Sequence, residues 1–227
     1  MQAAEKRKLE VDNLRQTRIN HIIECTFDLF AQNGMDEISM NEIAKVSEIG
    51  VASLYRYFKT KDDLAIECAI YAWKHETEVF RSVFDEQDFD GKTGFEQLKL
   101  LLECFTRAIN EEGVFFRFIY YFDAYVRNQN VSAERLSRYE DTISVLKKLV
   151  MGSLEKGEKD GSINFKKSAN PVLKAASNSQ MYFTMFHALF SMAQKLALSG
   201  EMLYMDREVQ HDTQIDILIN MILDSIK

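Results

Sequence analysis

The chain has 227 residues, 46% of them apolar and 28% charged, with a net charge of −7. At roughly 100–200 residues per domain this is one large domain or two small ones, long enough to bury a core without disulfide staples. A single proline, Pro171, and nine glycines are too few breakers for a many-turned β-sandwich or barrel, and they predict long helices. The three cysteines, Cys25, Cys68 and Cys104, are odd in number and unrelated in spacing. They exclude a disulfide framework and a zinc ribbon and point to a reducing cytoplasm. The first twenty residues carry Lys6, Arg7, Lys8, Arg15 and Arg18 without an apolar run, so no signal peptide is expected. The longest charge-free stretch, Ala175–Gln194, contains Ser177, Asn178, Gln180, His187 and Gln194. A lipid-facing helix would not carry that polar load, so a buried helix and no membrane partner are expected. Charge is unevenly spread. Residues 1–61 hold nine Lys/Arg against nine Asp/Glu, and the whole negative excess lies in residues 62–227. Within the neutral part, Val51–Lys61 carries Arg56, Lys59 and Lys61 and no acid, a local basic strip of the kind a phosphate backbone attracts.

In chain order, Leu14–Ala31 places Ile19, Ile22, Ile23, Phe27 and Phe30 on one helical face. Asn33–Gly34 ends that helix, with Gly34 suited to a left-handed position. Ser39 with Glu42 forms a capping box that opens a short helix, Met40–Ser47. Glu48–Gly50 is a turn, Val51–Phe58 a second short helix, and Thr60 with Asp63 opens a long helix from Lys61 to about Phe84. Asp85–Gly94 reads as a loop. Helices are predicted over Phe95–Asn110, Val114–Asn128 and Ala133–Lys156, then an extended stretch at Ile163–Phe165. One helix is predicted from Asn170–Pro171 to Ser199, stopped by Gly200, and a last one over Arg207–Ile226. The expected fold class is all-α.

Two short helices joined by a tight turn make a helix-turn-helix. The second must lie in the major groove, so its outward face must be small or polar. Val51, Ala52, Ser53 and Arg56 meet that need, while Leu54 and Phe58 supply the apolar inward face. Tyr55, Tyr57 and Lys59 flank it as donors to phosphates and Lys61 stands at the start of the next helix, with Thr17 and Ser39 as further candidates. Ser53 and Arg56 are placed to read base edges and Val51 to meet a thymine methyl. Lys6–Lys8 either form a basic arm on DNA or fray as a terminus.

The segment IAKVSEIGVASLYRYFKTKDDL, Ile43–Leu64, together with RINHIIECTFDLFAQNGMDEISMNEIA upstream, resembles the DNA-binding domain of the TetR family of bacterial transcriptional regulators. It aligns without a gap to the pattern I-A-x-x-A-G-V-(S/G)-x-(G/A)-(T/S)-(L/I)-Y-x-(Y/H)-F-x-(S/T/N)-K-x-x-L. Glu48 departs from it by standing where the family most often has glycine, and a left-handed glutamate there would cost ~1 kcal/mol. The resemblance implies a helix-turn-helix three-helix domain at residues 1–62 and a larger helical ligand-binding and dimerisation domain at residues 63–227. It further implies a cytoplasmic homodimer on a double-stranded, palindromic DNA operator, with two half-sites ~34–36 Å apart. A small, largely apolar effector would release it, which makes it a repressor. The alternatives within the class are an activator and a regulator that needs no ligand.

The remaining features weigh less. Phe115–Tyr125 and Met181–Met192 are rich in rings and methionines, which suit either a ligand cavity or ordinary packing. Trp73, Arg117, Tyr120, Phe183 and His187 are the ligand-binding candidates drawn from the chain. Phe190, Ile215, Leu218, Ile219 and Ile222 are the candidates for the dimer interface. His21 with Cys25 is two residues and not a metal site, and Glu208–x–x–His211 is a single copy where a di-iron bundle needs two. No HExxH, GxSxG, GxGxxG or GxxxxGK[ST] occurs, so no catalytic residue, cofactor or metal is expected. An all-α carrier or enzyme is the alternative from another class.

Overall fold

The computed structural model describes residues 2–86, 88–111, 113–199, 202, 208 and 210–227. Its helices are α1 (Gln2–Asn33), α2 (Met40–Val46), α3 (Val51–Tyr57), α4 (Lys61–Glu86), α5 (Gly94–Glu111), α6 (Gly113–Asn128), α7 (Ala133–Asp160), α8 (Pro171–Ala175), α9 (Asn178–Ser199) and α10 (His211–Ile226). Single 3₁₀ turns stand at Phe89–Gly91 and Phe165–Lys167. Among the described residues no strand occurs.

Several elements differ from their sequence expectation. Helix α1 begins at Gln2, well before Leu14. Helix α4 runs on to Glu86, and Phe89–Gly91 turns where a plain loop is expected. Phe165 starts a 3₁₀ turn and is not extended. The single helix expected from Pro171 to Ser199 is broken at Ala176, whose backbone is extended (ψ 138°). Ser177 then recaps the chain: its N–H donates to Gln180 Oε1 at 2.8 Å and its Oγ accepts from the Gln180 N–H at 3.2 Å. That reciprocal cap satisfies donors that a continuous helix would have served internally. The expected stop at Gly200 and start at Arg207 lie outside the described residues.

The chain divides into two compact units, Met1–Ala72 with Phe118–Tyr139, and Trp73–Arg117 with Glu140–Lys227. In the first, Ile22, Phe30, Ile43, Leu54, Leu64, Phe118 and Phe122 are buried. Phe27 packs on Phe118 at 4.8 Å between ring centres, so the second half of α6 belongs to this core. Gly34 ends α1 with φ +79°, and its N–H donates to the Phe30 carbonyl at 2.9 Å. In the second unit, Trp73, Leu98, Phe105, Phe116, Leu154, Phe190 and Ile226 are buried. There α5 and α7 meet backbone to backbone. A Cβ on Gly94 would lie 2.0 Å from the Gly157 nitrogen and 2.4 Å from the Ser153 oxygen. The free N–H groups at the start of α5 are capped from the end of α7, Gly94 N–H by Asp160 at 2.9 Å and Phe95 N–H by Ser162 at 3.0 Å.

Candidate nucleic-acid interface

Local chemistry sets the geometry of the helix-turn-helix. Ser39 opens α2 as a complete capping box, its Oγ accepting from the Glu42 N–H at 3.3 Å and its N–H donating to the Glu42 carboxylate at 2.8 Å. Those bonds hold the Glu42 carboxyl below its usual range. The turn that follows is tight: Ser47 N–H donates to the Ile43 carbonyl and Ile49 N–H to the Ala44 carbonyl, both at 3.0 Å. Glu48 takes φ +53°, a left-handed glutamate where glycine would be unstrained. Ser47 is fully buried and its hydroxyl has no partner. Gly50 caps α3 with its carbonyl, which accepts from Ser53 N–H at 2.8 Å and Leu54 N–H at 3.1 Å.

Helix α3 has two distinct faces. Leu54 and, just past the helix, Phe58 are buried. Ala52, Tyr55 and Arg56 are exposed, and Val51, Ser53 and Tyr57 are half-buried. Arg56 Nη2 donates to Ser53 Oγ at 2.8 Å, so the two candidate base readers form one hydrogen-bonded pair. Thr17 is exposed on α1, its hydroxyl bonded to the Asn13 carbonyl at 3.0 Å.

Lys61 is more engaged than a free surface cation. Its Nζ donates to the Asp36 carbonyl at 3.3 Å and lies 5.4 Å above the centre of the Tyr125 ring. Burial pushes its ammonium below the ordinary lysine value, against the pull of the Asp36 and Asp62 carboxylates. Around it stands a set of positioning residues that sequence reasoning misses. Tyr125 donates to Asp62 at 2.6 Å, and Asn128 and Gln129 reach the Asp36 carboxylate at 3.4 and 3.2 Å. Arg135 forks onto Asp62 at 2.5 Å and Asp63 at 2.8 Å, and touches Thr60 at 3.0 Å. Arg138 pairs with Glu67. Burial opposes ionisation of Asp63, yet the bonds from Arg135 and Thr60 still hold its carboxyl below the usual value. These partners lie more than sixty residues apart in sequence, and no local pattern announces them.

In the second unit, an apolar cavity of about 40 Å³ is lined by Leu102, Phe105, Val150, Tyr182, Met185 and Leu189, among others. None of the five ligand candidates lines it. Trp73 is buried, stacked on Phe190 at 5.4 Å and edge-on to Phe115 at 5.1 Å. Arg117 is half-buried with Nε unpartnered, and Tyr120 is exposed within the first unit. Phe183 and His187 are exposed and pack against each other at 5.7 Å.

Of the dimer candidates, Phe190, Ile215, Ile219 and Ile222 are buried inside the single chain, and Leu218 is half-buried. The stripe on α10 therefore closes the chain's own core, and the apolar side chains left exposed on that helix are Ile217 and Met221. Burial drives the Cys68 thiol well up and holds that of Cys104 at about 11, so neither is a ready nucleophile. Among the described residues no group of His, Cys, Asp and Glu fits a metal, and no helix is long and apolar enough to cross a membrane.

Residues 22–68 match the profile of the bacterial regulatory proteins of the tetR family. An HTH-type transcriptional regulator of Staphylococcus aureus strain MRSA252 is 29% identical over 119 residues, covering 44% of this chain and 62% of that one. The chain thus spans less than two thirds of that relative. Two solved structures share the fold. A TetR family transcription regulator from Marinobacter aquaeolei VT8 is 19% identical with a TM-score of 0.62 over 95% of this chain and 98% of that one. The fatty acid degradation regulator FadR from Bacillus halodurans is 14% identical with a TM-score of 0.64 over 92% and 99%.

Proposed function

We propose that this chain, whose residues 22–68 match the profile of the tetR family of bacterial regulatory proteins, is a dimeric transcriptional repressor released from its operator by a small apolar molecule. One observation carries the reading: α3 presents Ser53 and Arg56 outward as a bonded pair while Leu54 and Phe58 lock it from behind. A helix fixed in that way can enter a major groove without losing its register. Tyr55, Tyr57 and the N-terminal ends of α2 and α4 then meet phosphates on either side. Lys61 contributes by holding the Asp36 loop as well as by its charge.

The second unit supplies the effector and partner surfaces. Its cavity is apolar, with Tyr182 among the residues that line it. At about 40 Å³ it is well below the roughly 300–1,000 Å³ of a typical ligand site. An effector enters by displacing Met185 and Phe186, of which the methionine is the more adaptable. An effector with an acyl chain or fused apolar rings fits such a wall, and the fold is shared with a fatty acid degradation regulator. Dimerisation uses the outer faces of α9 and α10, where Phe183, Ile217 and Met221 stay exposed.

The test is binding of the purified protein to DNA from around its own gene at two salt concentrations. Tight, salt-sensitive and sequence-selective binding by a dimer is expected, followed by release on adding apolar candidates. Retention no greater than on random DNA, at every salt concentration, would sink the reading.

A further inference from the structure

We propose, on the foundation of that regulator reading, that the first four turns of α1 form a second DNA-contacting surface, which grips phosphates outside the operator bases read by α3. Helix α1 starts at Gln2, and every described side chain from Glu5 to Arg18 is exposed. The side-chain hydrogen bonds described in this stretch run along the helix, Gln16 to Asn20 at 2.9 Å and Thr17 to Asn13 at 3.0 Å. Leu9, Val11 and Leu14 are 61%, 58% and 72% exposed. These turns are propagated from the packed half of α1 and bury no side chain of their own from Glu5 to Arg18. A partner is what they lack.

Helical spacing sorts its charges. Arg7, Val11, Leu14 and Arg18 recur at intervals of four, three and four residues and share one row. Lys8 and Arg15 lie seven apart in the adjacent row. These two rows hold four cations and no acid. The acids border this face: Asp12 lies four residues after Lys8 and three before Arg15, Glu10 lies three after Arg7, and Lys6 shares the row of Glu10, Asn13 and Thr17. From Arg7 to Arg18 the helix rises about 16 Å, a length over which duplex DNA carries roughly ten phosphate charges.

That chemistry selects among occupants. A second copy of the helix would bring four cations against four cations across a seam with only Val11 and Leu14 to bury, far short of a coiled-coil repeat. A bilayer surface asks for a broad apolar face, which two aliphatic side chains do not make. A polyanion needs the acid-free cationic face alone. Because the groups gripped are phosphates, this face adds affinity and salt dependence and no base preference.

The full-length protein is titrated with two DNA fragments, one limited to the operator and one extended by about ten base pairs, roughly 34 Å, on each side. Wild type is compared with the fourfold variant Arg7→Gln, Lys8→Gln, Arg15→Gln, Arg18→Gln, whose helix content and unfolding midpoint are checked first. On the long fragment the variant's plot of log affinity against log salt should be shallower by about 0.9 for each phosphate it no longer neutralises, up to roughly 3.6 per protomer. On the short fragment the two proteins should match. A charge-preserving exchange of Arg for Lys and Lys for Arg should restore the slope. Equal slopes on the long fragment, with operator binding intact, would overturn this surface and leave the regulator reading standing. A wild type that binds no DNA would remove both. Vesicles of phosphatidylcholine with phosphatidylglycerol serve as the rival probe: variant-sensitive binding to them with unchanged DNA slopes would assign the face to lipid and overturn the proposal.

Discussion

Ser47, Glu48 and Arg56 sit within ten residues and carry opposite lessons about what a reading head needs. The Ser47 hydroxyl is buried without a partner, and Glu48 is held at φ +53°. An unsatisfied buried hydroxyl costs roughly 1–3 kcal/mol and a left-handed non-glycine residue ~1–2 kcal/mol. Ser47→Ala and Glu48→Gly should therefore each stabilise the protein by ~1 kcal/mol, raising its unfolding midpoint by roughly 2–4 °C, since neither change removes an interaction the fold uses. A lower midpoint for Ser47→Ala in calorimetry would mean that the hydroxyl has a partner after all. Arg56 is the reverse case, a residue whose removal should leave stability alone. It is exposed and bonded to Ser53. Arg56→Ala should relax preference at one base position by ~1–3 kcal/mol, read from competition among single-base operator variants. Equal weakening on every variant would make Arg56 a phosphate contact.

Helices here are started by short-range signals and joined by long-range ones, and the two respond to different perturbations. Carboxylates at the starts of α2, α4 and α5, and Asp160 at the end of α7, accept bonds that lower their folded values. Glu42 and Glu96 fall below an ordinary 4.5, and Asp63 and Asp160 below 3.8. A carboxylate lowered by folding contributes stability above its unfolded value and loses it as pH falls through the folded one. The denaturant midpoint should thus be flat from about pH 7 to 5.5 and fall below about 4.5. In the double variant Glu42→Gln, Glu96→Gln the caps persist, because glutamine also completes the box, and the acid loss should shrink. Parallel curves for the two proteins would show the boxes to be pH-silent. The α5–α7 contact is tested by glycine. Gly94→Ala drives a Cβ into the Gly157 and Ser153 backbone and should cost ~1–3 kcal/mol or more. Gly152→Ala, with nothing within 4 Å of the new carbon, should instead gain up to ~1 kcal/mol of helix propensity. If both lowered the melting temperature alike, close approach would not be the cause. This division also decides what is legible in the sequence. The boxes at Ser39 and Thr60, the turn at Glu48–Gly50 and the left-handed Gly34 are read from residues a few positions apart. The box at Ser177 and Gln180 is equally local, but the apolar run around it masks the break at Ala176. Gly94 with Gly157, and Asp62 with Arg135, pair across more than sixty residues, and their partners are fixed by the fold alone. So too with Ile215–Ile226: the stripe is plain in sequence, yet only packing decides that it faces the chain's own core.

In the dimer proposed above, two reading heads are tied together on a palindrome, and the inward turn of the α10 stripe moves the candidate seam to what remains outside. Met221 is 65% exposed and Ile217 53% exposed, and Phe183 is exposed on α9. Burying side chains of this kind against a second copy contributes on the order of 1.5–3 kcal/mol each, and a charge placed among them is left without a partner. Met221→Asp should therefore shift the protein from dimer to monomer in sedimentation equilibrium at micromolar concentration. The monomer's helix content should be unchanged, because Met221 lies outside the core that Ile219, Ile222 and Leu223 fill. Operator affinity should fall even though each reading head stays folded. A second head tethered to the first binds at an effective concentration that raises affinity by ~10²–10⁴-fold, and a monomer forfeits that gain while keeping its single-site contacts. Binding to one isolated half-site should accordingly be equal for Met221→Asp and wild type, and only the full palindrome should separate them. A variant that stays dimeric would place the seam on another face. One that becomes monomeric yet binds the full operator as tightly as wild type would show that the two heads act independently.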